Sequence, residues 1–284
     1  MSSDGANEPT RCLVVGLPRS GTTVVYLAIS GHRQVAAFSD EVHVNPLFDQ
    51  GTRTFSFGHE SEEDARDGRR ALFDALAGMR SNNQTTHYCM KVCAQTARQA
   101  ELLVEGLRRH LPEMKIVVTI RRDLAATYTS ARSARQTGQW HSWDRTESKG
   151  KPAMQKSNTF LFRRYVLRSL TIEKILSQLH ASHDVFDLEY ERLLEPDHDM
   201  YERMFEFLGV EAMPVTWLKA KKILPPPEQF ISNYAKLVRI QQEIQAQVDS
   251  GKISPWLRAP VGLLDWAVER RRGFEAGADR RLYP

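Results

Sequence analysis

Gly16-Leu17-Pro18-Arg19-Ser20-Gly21-Thr22-Thr23 places two glycines at the spacing with which a loop turns successive backbone N–H groups onto one anion. The apolar run Cys12 to Val15 precedes it and Thr22 to Ser30 follows, so the order is strand, glycine loop, helix, and the helix N-terminus adds partial positive charge. A loop built for nucleoside triphosphates continues with Lys and then Ser or Thr after the second glycine. Here Thr22 stands where that Lys would be, and the loop's own cation is Arg19. The pattern points away from an ATPase and towards a grip on an anion at the loop itself. The plainer alternative is a glycine turn with no ligand.

The elements that must position this loop are legible from periodicity. Ile116 to Ile120 is the most strand-like run, and it stops at Arg121-Arg122-Asp123, where Asp123 can cap a following helix. His87 to Val92 reads as another strand and Val185 to Leu188 as a last one. Thr96 to Leu111 has the apolar repeat of a helix. A helix is expected from Asn158 with Leu161, Tyr165, Ile172, Leu176 and Leu179 on its apolar face, and Met200 to Leu208 is a short helix closed by Gly209. Ser61 to Asp64 begins a further helical segment, and the C-terminal third is helical between proline-rich breaks. Alternating strands and helices predict an α/β fold in three layers, a parallel sheet covered on both faces, with ligands at the carboxyl ends of the strands. Residues 1–10 read as a disordered lead-in and 11–284 as one domain, with a polar insertion at about 136–157.

Composition narrows the partners. The 284 residues carry 39 Lys and Arg against 35 Asp and Glu, a net charge of +4 spread in short clusters, which is not the footprint of a nucleic-acid binder. No run approaches the roughly 18 apolar residues of a membrane span, and the polar start lacks the apolar core of a secretory signal. Three cysteines, Cys12, Cys89 and Cys93, lie in or beside apolar segments and are expected as buried thiols in a cytoplasmic protein.

GLPRSGTT resembles the 5′-phosphosulfate loop of sulfotransferases, and its Arg-containing form is closer to tyrosylprotein sulfotransferases and bacterial relatives than to the cytosolic type. IRRDLAATYTSARS resembles the segment of that family in which an Arg and a Ser eight residues later hold a 3′-phosphate, here Arg122 and Ser130. Leu188 to Leu194 resembles the family's Tyr-Glu segment, in which Tyr190 would contact the nucleotide; otherwise Tyr190 is a half-buried aromatic at a strand end. Ile231 to Tyr234, with Ser232, resembles a late segment that completes the nucleotide site.

The resemblance implies 3′-phosphoadenosine 5′-phosphosulfate (PAPS) as co-substrate, adenosine 3′,5′-bisphosphate (PAP) as product and no metal. It places Pro18, Arg19, Ser20, Gly21, Thr22 and Thr23 around the nucleotide. In-line sulfuryl transfer needs charge stabilisation on the bridging and equatorial oxygens and a base for the acceptor proton. Arg19 would serve the 5′-phosphate and sulfonate, and Lys91, at a strand end, the leaving oxygen, unless it is a surface lysine. For the base the candidates are Asp40, Glu41 and His43, and the resemblance favours Glu41 with Asp40 second. The cytosolic type has a His two residues after the strand-end Lys, where this chain has Cys93. Phe48, Phe55, Phe57, Trp140, His141 and Trp143 could line an acceptor pocket, with Lys149, Lys151 and Lys156 attracting an anionic one. The expected acceptor is a small molecule, lipid or saccharide, and a homodimer is possible.

Overall fold

The computed structural model describes residues 9–37, 43–44, 54–55, 85–137, 154–195, 199–215 and 226–253. Its centre is a five-stranded parallel sheet. In chain order the elements are β1 (Thr10–Gly16), α1 (Thr22–Ser30) and β2 (Val35–Ala37), then β3 (His43–Val44) and β4 (Thr54–Phe55), which form a separate parallel pair. They continue with β5 (His87–Cys93), α2 (Ala97–His110), β6 (Lys115–Ile120), α3 (Leu124–Thr137), α4 (Thr159–Leu176), β7 (Val185–Glu189), α5 (Met200–Leu208) and α6 (Tyr234–Asp249). The strand order is β2-β5-β1-β6-β7, so β1 is central and its loop opens at the middle of the sheet's carboxyl edge.

Alternation along the strands divides two cores. Leu13, Val15, Met90, Val92, Ile116 and Val118 face α2, α3, α4 and α6. Cys12, Val14, Cys89, Val117 and Leu188 face α1 and α5. A strand buried on both faces reads as a continuous apolar run, which is why Cys12 to Val15 lacks polar alternation. The expected three-layer α/β fold is therefore the observed one. Among the described residues no helix is long and apolar enough to cross a membrane.

The helix ends follow local chemistry. Thr96 caps α2, its hydroxyl accepting from Gln99 N at 3.1 Å, and Asn158 caps α4 by accepting from Phe160 N and Leu161 N at 2.9 and 3.1 Å. Gly209 ends α5 at φ 83°, as its position in the sequence predicts. The last carbonyls of α5 are also taken up: Lys115 Nζ donates to Phe207 O at 2.6 Å, and His87 Nε2 donates to Leu208 O at 3.0 Å. That burial lowers the His87 pKa, which keeps its ring neutral.

One expectation needs correction. Leu161 does not belong to the buried face of α4; it is 45% exposed, whereas the expected Ile172 and Leu176 are buried, together with Phe162, Val166, Leu167, Ser169 and Leu170. The start of the helix offers two adjacent apolar residues, Leu161 and Phe162, and packing on α2 and α6 selects Phe162. Of the thiols, Cys12 and Cys89 are buried opposite each other on β1 and β5, whereas Cys93 is only partly buried. All three are free. Burial and the neighbouring Cys12 push the Cys89 thiol well up, leaving it unreactive.

The sheet also limits what can stand at the start of the loop. A Cβ on Gly16 would lie 2.2 Å from Thr119 Oγ1 and 2.7 Å from both Thr119 O and Ser20 Oγ, so any side chain must push β6 away. Gly16→Ala is expected to lower stability by about 1–3 kcal/mol, measured as a lower midpoint in urea with unchanged slope.

Candidate active site

The loop between β1 and α1 is a tight turn. Ser20 N donates to Leu17 O at 3.1 Å, with Pro18 and Arg19 between them, and Arg19 sits at φ 70°. That is the arrangement of a type II turn, whose third position normally calls for Gly. Arg19 is the one described residue other than glycine with positive φ, a conformation that costs on the order of 1–3 kcal/mol and that clusters at functional sites. The side chain, not the backbone, must therefore account for an arginine here.

Ser20 turns inward. Its hydroxyl donates to Leu17 O at 2.7 Å and lies 2.8 Å from the Thr119 hydroxyl, so both its donors serve the turn itself. Gly21, at φ 93°, is covered by the ring of Tyr190: a Cβ there would come within 2.6 Å of Tyr190 Cδ2. Tyr190, which follows β7, thus lies against the loop, where the sequence left it either a ligand contact or a strand-end aromatic.

Cations converge on this rim. Arg19 donates from Nε and a terminal nitrogen to Ser130 Oγ at 3.2 and 3.1 Å. Arg121 Nη1 donates to the carbonyl of Arg19 at 3.0 Å, and its guanidinium lies 4.5 Å from the Tyr190 ring centroid. Burial first, and the nearby Arg121 second, lower the pKa of Arg19. Lys91 is not a surface lysine; it is 7% exposed and donates to Thr23 Oγ1 at 3.1 Å, beside the Tyr26 ring. Cys93 lies 3.4 Å from Thr22 Oγ1, so the thiol shares the loop's rim with Lys91. Among the described residues no three His, Cys, Asp or Glu side chains gather as a metal site.

Arg122 takes a different direction. Its Nε and Nη2 both donate to Glu189 Oε1, at 3.0 and 2.7 Å, and this bond to Glu189 raises its pKa. The two side chains are 62% and 38% exposed, so the pair contributes at most about 1 kcal/mol and is readily broken. Ser130, the expected companion of Arg122, is bonded to Arg19 instead.

The corner between β6 and α3 is rigid around these side chains. Asp123 caps α3 by accepting from Ala126 N at 2.8 Å, as expected, and also accepts from the Tyr234 hydroxyl at 2.9 Å. Glu191 accepts from the backbone N–H of Arg122 and of Asp123 at 3.2 and 3.1 Å, and Gln241 Nε2 donates to Arg122 O at 2.6 Å. The late segment thus acts through Tyr234 and Gln241, while the exposed Ser232 donates to Gln155 O at 3.2 Å. Arg121, Thr119, Glu191 and Gln241 are absent from the sequence-based site. The signal for Arg121 was the Arg-Arg doublet, but its spacing does not say which arginine turns to the loop.

Asp40, Glu41, Phe48, Phe57, Trp140, His141, Trp143, Lys149 and Lys151 lie outside the described residues, as does the segment begun by Ser61. His43 and Phe55 are described only as backbone of β3 and β4. Lys156 is exposed.

Residues 12–214 match the sulfotransferase family, and the chain belongs to it. The structure is similar to a sulfotransferase from Alicyclobacillus acidocaldarius, at 12% identity over 84% of this chain and 96% of that one, with a TM-score of 0.46. It is also similar to the sulfotransferase domain of the Synechococcus PCC 7002 olefin synthase, at 12% identity over 86% and 98%, with a TM-score of 0.47. The sulfotransferase domain from the curacin biosynthetic pathway matches at 15% identity over 92% and 97%, with a TM-score of 0.45. No curated protein matches the sequence significantly.

A partly buried carboxylate beside the site makes stability depend on pH. Burial pushes Glu173, on α4, from 4.5 up to about 7, with Glu191 adding repulsion and Arg122 opposing it. The unfolded chain loses this proton near 4.5 and the folded one near 7, so this group removes stability as pH rises through that window. Glu173→Gln is expected to melt higher than wild type at pH 8 and equally at pH 4. Parallel melting curves across the range would show that Glu173 titrates normally.

Proposed function

We propose that this sulfotransferase moves the sulfuryl group of PAPS to a hydroxyl or amine of a small-molecule, lipid or saccharide acceptor by in-line displacement, releasing PAP. The observation that carries the reading is the strained Arg19 at the head of the glycine loop, with Lys91 buried against Thr23 on the same rim. A cradle of backbone N–H groups, a helix N-terminus and two cations suits a nucleotide phosphate bearing a sulfuryl group. The tight fit of Gly16 against Thr119 and of Gly21 against Tyr190 keeps that cradle compact.

In this reading Pro18 sets the turn, and the backbone from Arg19 through Thr23 surrounds the 5′-phosphate. Arg19 neutralises charge on the phosphate and on the equatorial oxygens of the sulfuryl group. Glu41, with Asp40 as the second choice, takes the proton from the acceptor as its oxygen or nitrogen bonds to sulfur. The bond from sulfur to the bridging oxygen breaks, and Lys91 stabilises the electron pair left on that oxygen. Direct transfer needs no covalent intermediate, so Cys93 has no nucleophilic role. Arg122 and Ser130 hold the 3′-phosphate once Arg122 leaves its exposed pair with Glu189. Tyr190 packs against the nucleotide, and the segment containing Ser232 closes the far side.

Calorimetry with PAP and with Mg²⁺-ATP tests the nucleotide. Wild type is expected to bind PAP and to show little affinity for ATP, and Arg122→Ala to bind PAP about tenfold more weakly. Preference for ATP would return the loop to the kinases. Glu41→Ala is expected to keep its PAP affinity and to lose most turnover of PAPS with a productive acceptor. Full turnover by that variant would move the base to Asp40 or His43.

A further inference from the structure

The arginine doublet after β6 divides its labour. Arg122 is exposed and satisfied by Glu189, whereas Arg121 is drawn over the loop and has no carboxylate partner among the described residues. Three contacts fix Arg121 in place. Nη1 is tied to the Arg19 carbonyl at 3.0 Å, the guanidinium plane lies over the Tyr190 ring at 4.5 Å, and that ring covers Gly21. Its Nε is buried and makes no hydrogen bond.

This arrangement is costly without a ligand. An Arg stacked on an aromatic ring is well accommodated, but a second guanidinium beside the buried Arg19 repels it, and an unbonded buried N–H forfeits its hydration. Proteins place like charges together where an anion will neutralise both. A carboxylate could have been supplied at the same corner, since Glu189 and Glu191 stand there, yet both carboxylates are engaged on the Arg122 side: Glu189 with its guanidinium, Glu191 with the backbone N–H groups of Arg122 and Asp123. Arg121 is thus left with its charge available to whatever enters the loop.

We infer that Arg121 is a direct phosphate ligand, a second guanidinium that acts with Arg19 on an anionic group of the bound nucleotide. The inference rests on the nucleotide reading above and adds to it a residue held in position before the ligand arrives. Arg122, by contrast, must be recruited from Glu189. A fork of N–H donors fixed by a carbonyl and a ring loses little freedom on binding, so Arg121 contributes to affinity more than an equally charged but mobile side chain would.

The test compares wild type, Arg121→Gln, Arg121→Lys and Arg163→Gln by calorimetry with PAP and with adenosine 5′-phosphate, alongside melting of the ligand-free proteins. Arg163 pairs with Glu243 at the surface of α4 and serves as the control for loss of one positive charge. Arg121→Gln is expected to weaken PAP by about tenfold or more without lowering the ligand-free melting temperature, because it removes a repulsion on Arg19. Arg121→Lys is expected to recover part of the affinity, and Arg163→Gln to bind as wild type. If the loss persists with adenosine 5′-phosphate, Arg121 holds the 5′-phosphate; if it vanishes, Arg121 holds the 3′-phosphate. Unchanged PAP affinity in Arg121→Gln overturns the inference, as does a loss of affinity matched by a lower ligand-free melting temperature, which would make Arg121 a clamp on Tyr190 only. Wild type failing to bind PAP would instead remove the nucleotide reading, and this inference with it.

Discussion

The close approach of β1 to β6 at Gly16 is the constraint on which the rest of the site depends. The backbone of Gly16 touches Thr119, and the Thr119 hydroxyl reaches the Ser20 hydroxyl at 2.8 Å, so the loop is anchored to the neighbouring strand before it turns. With that anchor in place, Ser20 can close the turn on Leu17, Arg19 is forced into the left-handed region, and its side chain is thrown towards Ser130 on α3. Each later feature follows from the one before. Gly21 leaves room for Tyr190, Tyr190 supports Arg121, and Arg121 returns to the carbonyl of Arg19. The site is a closed ring of contacts through three adjacent strand ends, which is why the chemistry gathers at the carboxyl edge of a parallel sheet.

Electrostatics oppose that closure. Burial and the nearby Arg121 disfavour the charge on Arg19, and Lys91 is buried on the same rim. Among the described residues, hydroxyls, carbonyls and aromatic faces contact these cations: Ser130 for Arg19, a backbone carbonyl and Tyr190 for Arg121, Thr23 and the Tyr26 ring for Lys91. Glu189 and Glu191 fasten Arg122 and the corner between β6 and α3.

The fold was legible because its signals are local and redundant. Apolar runs without alternation mark strands buried on both faces, and α1, α5, the caps at Asn158 and Asp123 and the stop at Gly209 fall where side-chain chemistry demands. The glycine loop could likewise be read from spacing, and Lys91 from its place at a strand end, though its burial could not. What sequence could not decide were choices between neighbours. Leu161 and Phe162 are both apolar, and only the packing of α4 on α2 and α6 selects Phe162; Arg121 and Arg122 are identical, and only the ring of Tyr190, some seventy residues later in the chain, selects Arg121 for the loop. Gln241 carried no signal of its own, since its partners are backbone groups of a distant segment, and Glu191 was marked only as part of the Tyr-Glu segment, without its partners.

The pairing of β1 has a consequence for how the chain acquires its structure. Thr10 pairs with His87 and Cys12 with Lys115, and β6 then pairs with β7 from Ile116 to Val185 onwards. Of the strands in this sheet the central one is therefore made first, and it has no neighbour until about seventy residues of chain have followed it. Such long-range pairing closes large loops before any contact rewards them, and it makes for slow folding. In the interval the apolar run from Cys12 to Val15 has both edges uncovered, which makes β1 the strand of this sheet most dependent on protection during synthesis.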